Sequence, residues 1–139
     1  MILLDTSVLS RVFRRKRPGP AELSLRGAVE RLLASESALG LPGVVLQEVL
    51  SGIRSEKQFA SLAHRLTGGF VIVHPATTDC VAAARLRNQC QAKGLNVSGP
   101  DCLIATLAIA GRHQLFTMDE DFVKIASLTK LQLVALDEV

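Results

Sequence analysis

MILLDTS, residues 1–7, decides how this chain is read. Four apolar residues suited to the middle of a sheet run straight into Asp5, Thr6 and Ser7. A strand that delivers a carboxylate at its carboxyl end has two explanations. Asp5 or Ser7 caps the following helix by accepting its free N–H groups. Alternatively the acid belongs to a ligand site, because open α/β sheets bind ligands just beyond the carboxyl ends of their strands. One aspartate does not choose between these. The deciding feature is whether other acids arrive at equivalent places.

Working outward, apolar runs alternate with helical patterns. The pattern predicts strands at MILL, LGLP, FVIVH, LFTM and LQLVAL. It predicts helices over Ser7–Arg15, Ala21–Ser37, Val44–Ile53, Glu56–Leu66, Thr77–Lys93, Pro100–Ala110 and Asp119–Ala126. Leu25, Ala28, Val29, Leu32 and Leu33 repeat at helical spacing, and Gly68, Gly69, Gly94 and Gly111 follow helices as stops. Strands separated by helices imply an α/β fold, a parallel sheet with helices on both faces. At 139 residues and 48% hydrophobic, the chain reads as one domain with a substantial core.

Composition excludes several functions. No apolar run reaches the roughly 18 residues of a membrane span. Met1 passes directly into the strand without a charged leader, so a cytoplasmic protein without a secretory signal is expected. Cys80, Cys90 and Cys102 are odd in number and form no CxxC pair, which favours reduced thiols over disulfides or zinc. With no Trp or Tyr and only five Phe, base stacking on several aromatics is not expected. Nucleic acid would be held by its phosphates, and Arg11, Arg14, Arg15, Lys16 and Arg17 form a basic knot suited to that or to an ordinary solvated face.

Other acids do arrive. In VVLQEVLSGI, Val45, Glu48, Val49 and Gly52 follow i, i+3, i+4, i+7, which places Glu48 in an apolar, core-facing stripe. Asp101 makes the same set with Ile104, Ala105 and Ala108, although an acid in a first helical turn also favours the macrodipole. In LFTMDEDF, Thr117 offers a hydroxyl and Asp119 stands where strand gives way to helix, with Asp121 in the first turn. Singly, each has a local explanation as a cap or an ion-paired residue. Together they predict more: in a right-handed α/β sheet the positions of Asp5, Glu48, Asp101 and Asp119 can converge at the carboxyl-end crevice. Two carboxylates about 4 Å apart repel by roughly 4 kcal/mol at an effective dielectric near 20, so four together require cations. Oxygen-only ligands suit hard ions, Mg²⁺ or Mn²⁺. Without these four acids, nine others face sixteen Lys and Arg, leaving the rest of the molecule about +7. An acidic pit in a basic shell is what metal-assisted cleavage of a polyanion needs.

MILLDTSVLS, LQEVLSGIR, GPDCLIATLA and FTMDEDF, in this order and spacing, resemble the PIN domain family, in particular the VapC-like toxins of type II toxin–antitoxin pairs. The match spans Met1 to about Ile125. The resemblance implies a three-layer PIN-like fold with a parallel five-stranded sheet and a Mg²⁺-dependent endoribonuclease, Mn²⁺ being a possible substitute. It maps the four catalytic, metal-binding acids to Asp5, Glu48, Asp101 and Asp119, and the aspartate that follows to Asp121. Thr6 or Ser7 would be the hydroxyl that orients Asp5, with Thr117 as a further support. Arg11, Arg14 and Arg15 would position RNA. Leu9 departs from the aromatic residue of many relatives, a matter of packing. The implied partners are RNA, transfer RNA being the commonest target class, a cognate VapB-like antitoxin, and a second copy in a homodimer.

Three rivals fit less well. A receiver domain needs a phosphoacceptor Asp at a central strand end, yet no aspartate lies between Glu48 and Asp79. A haloacid-dehalogenase-type phosphatase needs Asp two residues after the first, where Ser7 stands. No GxxxxGK[ST] or GxGxxG cradle occurs. The remaining alternative is a non-catalytic PIN-like scaffold that binds RNA or protein, which the four intact acids argue against.

Overall fold

The computed structural model describes residues 1–13 and 17–138. Five strands form one parallel sheet in the order β3-β2-β1-β4-β5, with β1 at Ile2–Leu4, β2 at Leu39–Pro42, β3 at Val71–Val73, β4 at Gln114–Phe116 and β5 at Gln132–Val134. The α/β architecture expected from the alternation of patterns is the one observed. Leu3, Leu4, Leu41, Leu115 and Phe116 are wholly buried, as the middle of a sheet covered on both faces requires.

Seven α-helices among the described residues connect the strands: α1 (Thr6–Phe13), α2 (Pro20–Ala34), α3 (Gly43–Leu50), α4 (Glu56–Gly69), α5 (Thr77–Ala92), α6 (Gly99–Ala110) and α7 (Glu120–Leu128). Packing joins α1 to α2 and α3, and α3 to α4. A second group links α5 to α6 and α6 to α7. The topology explains this division. From β1 the chain steps through β2 to β3, then returns past β1 to β4 and β5. Right-handed crossovers in opposite directions lay their helices on opposite faces. The direction reverses between β1 and β4, so a crevice opens at their carboxyl ends. Asp5 and Thr117 directly follow the paired residues Leu4 and Phe116, and both stand at that crevice.

Helix ends depart from expectation where side chains intervene. α2 stops at Ala34 rather than Ser37, because Ser35 takes extended backbone at ψ 165° while its hydroxyl donates to Leu32 O at 2.7 Å. α3 stops at Leu50 rather than Ile53. The Ser51 hydroxyl donates to Gln47 O at 2.6 Å, and Gly52 turns the chain at φ 88°, a left-handed conformation in which glycine has no Cβ to clash. α4 runs on through Gly68 and Gly69 rather than stopping at Leu66. It ends where the buried Phe70 takes extended backbone into β3. Cys90 and Cys102 are buried and free, and Cys80 is exposed and free. No helix among the described residues is long and apolar enough to cross a membrane.

Candidate metal centre

Asp5 is 2% exposed and is held at both carboxylate oxygens. Ser7 Oγ donates to Oδ1 at 2.7 Å, and Thr117 Oγ1 donates to Oδ2 at 2.8 Å. Each hydroxyl also accepts from the loop after β4: Ser7 from the Met118 N–H at 3.0 Å, and Thr117 from the Asp119 N–H at 3.0 Å. Two hydroxyls therefore tie the strand ends together through Asp5. The Val8 N–H donates weakly to Oδ1 at 3.4 Å, so the capping explanation of Asp5 also holds in part. Of the two hydroxyls left open by the sequence, Ser7 is the one on Asp5. Thr6 Oγ1 is buried and has no hydrogen-bond partner among the described residues.

Asp119 is the N-cap of α7, its Oδ1 accepting from the Asp121 N–H at 2.9 Å. Its capping explanation is thus also correct, and the second oxygen is left for other work. Asp101 lies in the first turn of α6, and its N–H donates to Ser98 Oγ at 3.2 Å. Ser98 is a residue that sequence reasoning missed. Its signal was the S-x-x-D spacing of Ser98 and Asp101, a helix-start pattern.

Asp101, Asp119 and Asp121 each offer one carboxylate oxygen, and these three oxygens lie within 4.8 Å of one another. All three residues are half-buried. At that spacing each pair repels by roughly 3 kcal/mol at an effective dielectric near 20. Burial pushes the Asp101 carboxyl up to about 6, Ser98 opposes the shift, and the charges of Asp119, Asp5 and Asp121 add to it. Asp5 is raised first by burial and last by Asp119, against the hydrogen bonds of Ser7, Thr117 and Val8. Among the described residues, the ion pair at the cluster is Lys124 Nζ to Asp121 Oδ1, 3.4 Å apart on the surface. Such a pair contributes little, and Asp5, Asp101 and Asp119 have no basic partner among the described residues.

Glu48 requires a correction. It is exposed rather than buried in the core-facing stripe of α3. Val45 and Val49 are fully buried, and Glu48 stands on the flank of that stripe, where a long side chain reaches solvent. It is not one of the three acids whose oxygens meet. Of the basic residues, Arg11 is exposed on α1. Arg14 and Arg15 lie outside the described residues.

The oxygen-only donor set and its mutual repulsion fit a hard divalent ion, the surface pair of Lys124 with Asp121 offsetting little of that charge. Asp101, Asp119 and Asp121 would hold it, with Asp5 behind them.

Known proteins resemble this chain in sequence and in fold. The PIN domain family model matches residues 2–128, and the chain belongs to that family. Ribonuclease VapC11 of Mycobacterium tuberculosis is 33% identical over 135 residues, which cover 95% of this chain and 96% of the relative. A VapC ribonuclease of Mycobacterium bovis matches to the same extent. Among solved structures, VapBC2 from Rickettsia felis, bound to a DNA fragment from their promoter, superposes with a TM-score of 0.73 at 23% identity. That match covers 96% of this chain and 98% of the other. VapBC-1 from nontypeable Haemophilus influenzae gives 0.76 at 17% identity over 99% of both chains. At these identities the structural matches speak to the fold alone.

Proposed function

We propose that this chain is a VapC-like endoribonuclease toxin that uses Mg²⁺, or Mn²⁺ in its place, to hydrolyse RNA phosphodiester bonds. The observation that carries the proposal is the meeting of three half-buried carboxylates, with the charge of Asp5 acting on Asp101 beside them. Among the described residues no basic side chain neutralises Asp5, Asp101 or Asp119. The naming of both mycobacterial relatives as ribonucleases supports the same reading.

Asp101, Asp119 and Asp121 would hold the ion, and Glu48 would reach in from α3. When bound, the ion activates water and offsets charge on the attacking and leaving oxygens. Ser7 and Thr117 fix the orientation of Asp5 by donating to both its oxygens. Asp119 keeps one oxygen on the Asp121 N–H, which locks its carboxylate at the start of α7. Burial raises the proton affinity of Asp101 and Asp5, so a cation held there would compete with protons for their oxygens. In-line attack by water leaves a 5′-phosphate and a 3′-hydroxyl, with no part for the 2′-hydroxyl. Arg11 would contact the strand. Transfer RNA is the substrate class we favour, with a VapB-like antitoxin as inhibitor and a homodimer as the working form.

The test is cleavage of labelled RNA by purified protein. We expect cutting with Mg²⁺, none with EDTA, and none from folded Asp5→Asn. RNA that stays intact with Mg²⁺ while remaining bound would make the chain a scaffold. Sequencing the 5′ ends of fragments after induced expression identifies the target.

A further inference from the structure

Away from the acids, a groove of about 810 Å³ lies between the end of α1 and the first turns of α4. Arg54, Lys57 and Arg65 line it together with Ser55 and Ser61, and no carboxylate among the described residues does. All five of these residues are exposed. The three cations have no acidic partner among the described residues. Their placement runs against local stability, since Arg54 and Lys57 flank the positive end of the α4 macrodipole, which favours anions. Arg65 is held in place, its guanidinium 5.0 Å from the centre of the Phe13 ring.

We infer that this groove binds phosphates of the RNA strand outside the scissile bond; the inference rests on the ribonuclease reading above. Two observations favour a phosphate backbone over a peptide. The accessible wall offers guanidinium, ammonium and hydroxyl donors, whereas a peptide strand would present as many donors as acceptors. An amphipathic helix would need a row of large apolar side chains, yet the lining has only Phe13, Ile53 and Leu62, the first two partly buried and the last buried, among six polar or charged residues. The groove is also connected to the proposed site. α1 begins directly after Asp5 and ends at Phe13 on the groove wall, so its eight residues, about 12 Å of helix, lead from the buried acid to the cations. A strand whose cleaved bond meets the acids can continue along α1 onto Arg54, Lys57 and Arg65.

The experiment measures binding of a short mixed-sequence single-stranded RNA in EDTA, by fluorescence anisotropy across a salt series. The proteins are the parent, single Arg54→Gln and Lys57→Gln variants, the triple variant with Arg65→Gln, and a charge-matched control carrying Arg85→Gln, Lys93→Gln and Lys130→Gln. Arg65→Lys keeps the charge if loss of the Phe13 stacking perturbs folding. Every phosphate that is no longer neutralised lowers the slope of log K against log salt by about 0.7 for a single strand. The triple variant is therefore expected to lose about 2 and the control close to none. A parental slope in the triple variant, or an equal loss in the control, overturns the inference. So does a triple variant with parental RNA binding but weakened binding of the co-expressed antitoxin, which would make the groove a protein-docking surface. Cleavage distinguishes the two readings. RNA that binds the groove but is never cut with Mg²⁺ defeats the ribonuclease reading alone, and normal cutting with an unchanged slope defeats the groove alone.

Discussion

Thr117 and Asp5 are 112 residues apart in the chain, yet the Thr117 hydroxyl donates to the Asp5 carboxylate at 2.8 Å. Ser7 performs the same service at the other oxygen. The register of β1 against β4 is what brings them together, because Leu4 pairs with Phe116 and the next residue of each strand emerges at the same edge.

Removing one hydroxyl tests this arrangement. Thr117→Val preserves shape and leaves one oxygen of a buried carboxylate without its donor, at a cost of about 1–3 kcal/mol. The urea midpoint at neutral pH is expected to fall accordingly. Thr117→Ser, which retains the donor, is expected to recover most of the loss.

Asp101→Asn is expected to act in opposite directions on stability and activity. It removes a carboxylate that burial and three neighbouring acids disfavour, so the melting temperature in EDTA rises. Cleavage with Mg²⁺ is expected to fall by more than about a hundredfold, the upper end of losses seen for mere outer partners of a metal. A variant that is both less stable in EDTA and fully active would refute the assignment.

The pH dependence has a definite sign. Because the Asp101 carboxyl is raised from 3.8 to about 6, the folded metal-free protein holds more protons than the unfolded chain between those values. Stability in EDTA therefore falls as pH rises through that window and is level, for this group, above it. Bound metal competes with the same protons, so the Mg²⁺-induced gain in melting temperature is expected to grow from about pH 4 to about pH 6 and then flatten. Thermal scans with and without Mg²⁺ measure both trends.

Glu48→Gln separates a chemical role from a structural one. Its side chain is exposed, so stability is expected to stay within about 0.5 kcal/mol of the parent. A reduced cleavage rate with a raised Mg²⁺ requirement would then report on the site itself. Unchanged kinetics would remove Glu48 from the acid set.

Most of the architecture was readable because each element carried its own period. MILL and LFTM are apolar runs too short for helices, and the stretch after Pro100 is too long for a strand. Asp5 and Asp119 were legible for the same reason, since each sits at a change of period. Glu48 was misplaced because periodicity identifies a stripe without separating its centre from its flank, and an eight-residue helix has few turns to average over. Ser98 was overlooked because its hydroxyl acts on Asp101 through a helix start that the turn residues Gly99 and Pro100 obscured. The groove beside α4 was illegible, since Phe13 and Arg65 come together only through packing.

The long detour between Asp5 and Thr117 also bears on how the molecule is made. On the ribosome Asp5 emerges well before β4 and α7, which bring Thr117, Asp119 and Asp121. Until that final portion docks beside β1, the carboxylates have no common address. The acids thus gain a shared geometry only after the segment carrying Asp119 and Asp121 has been made.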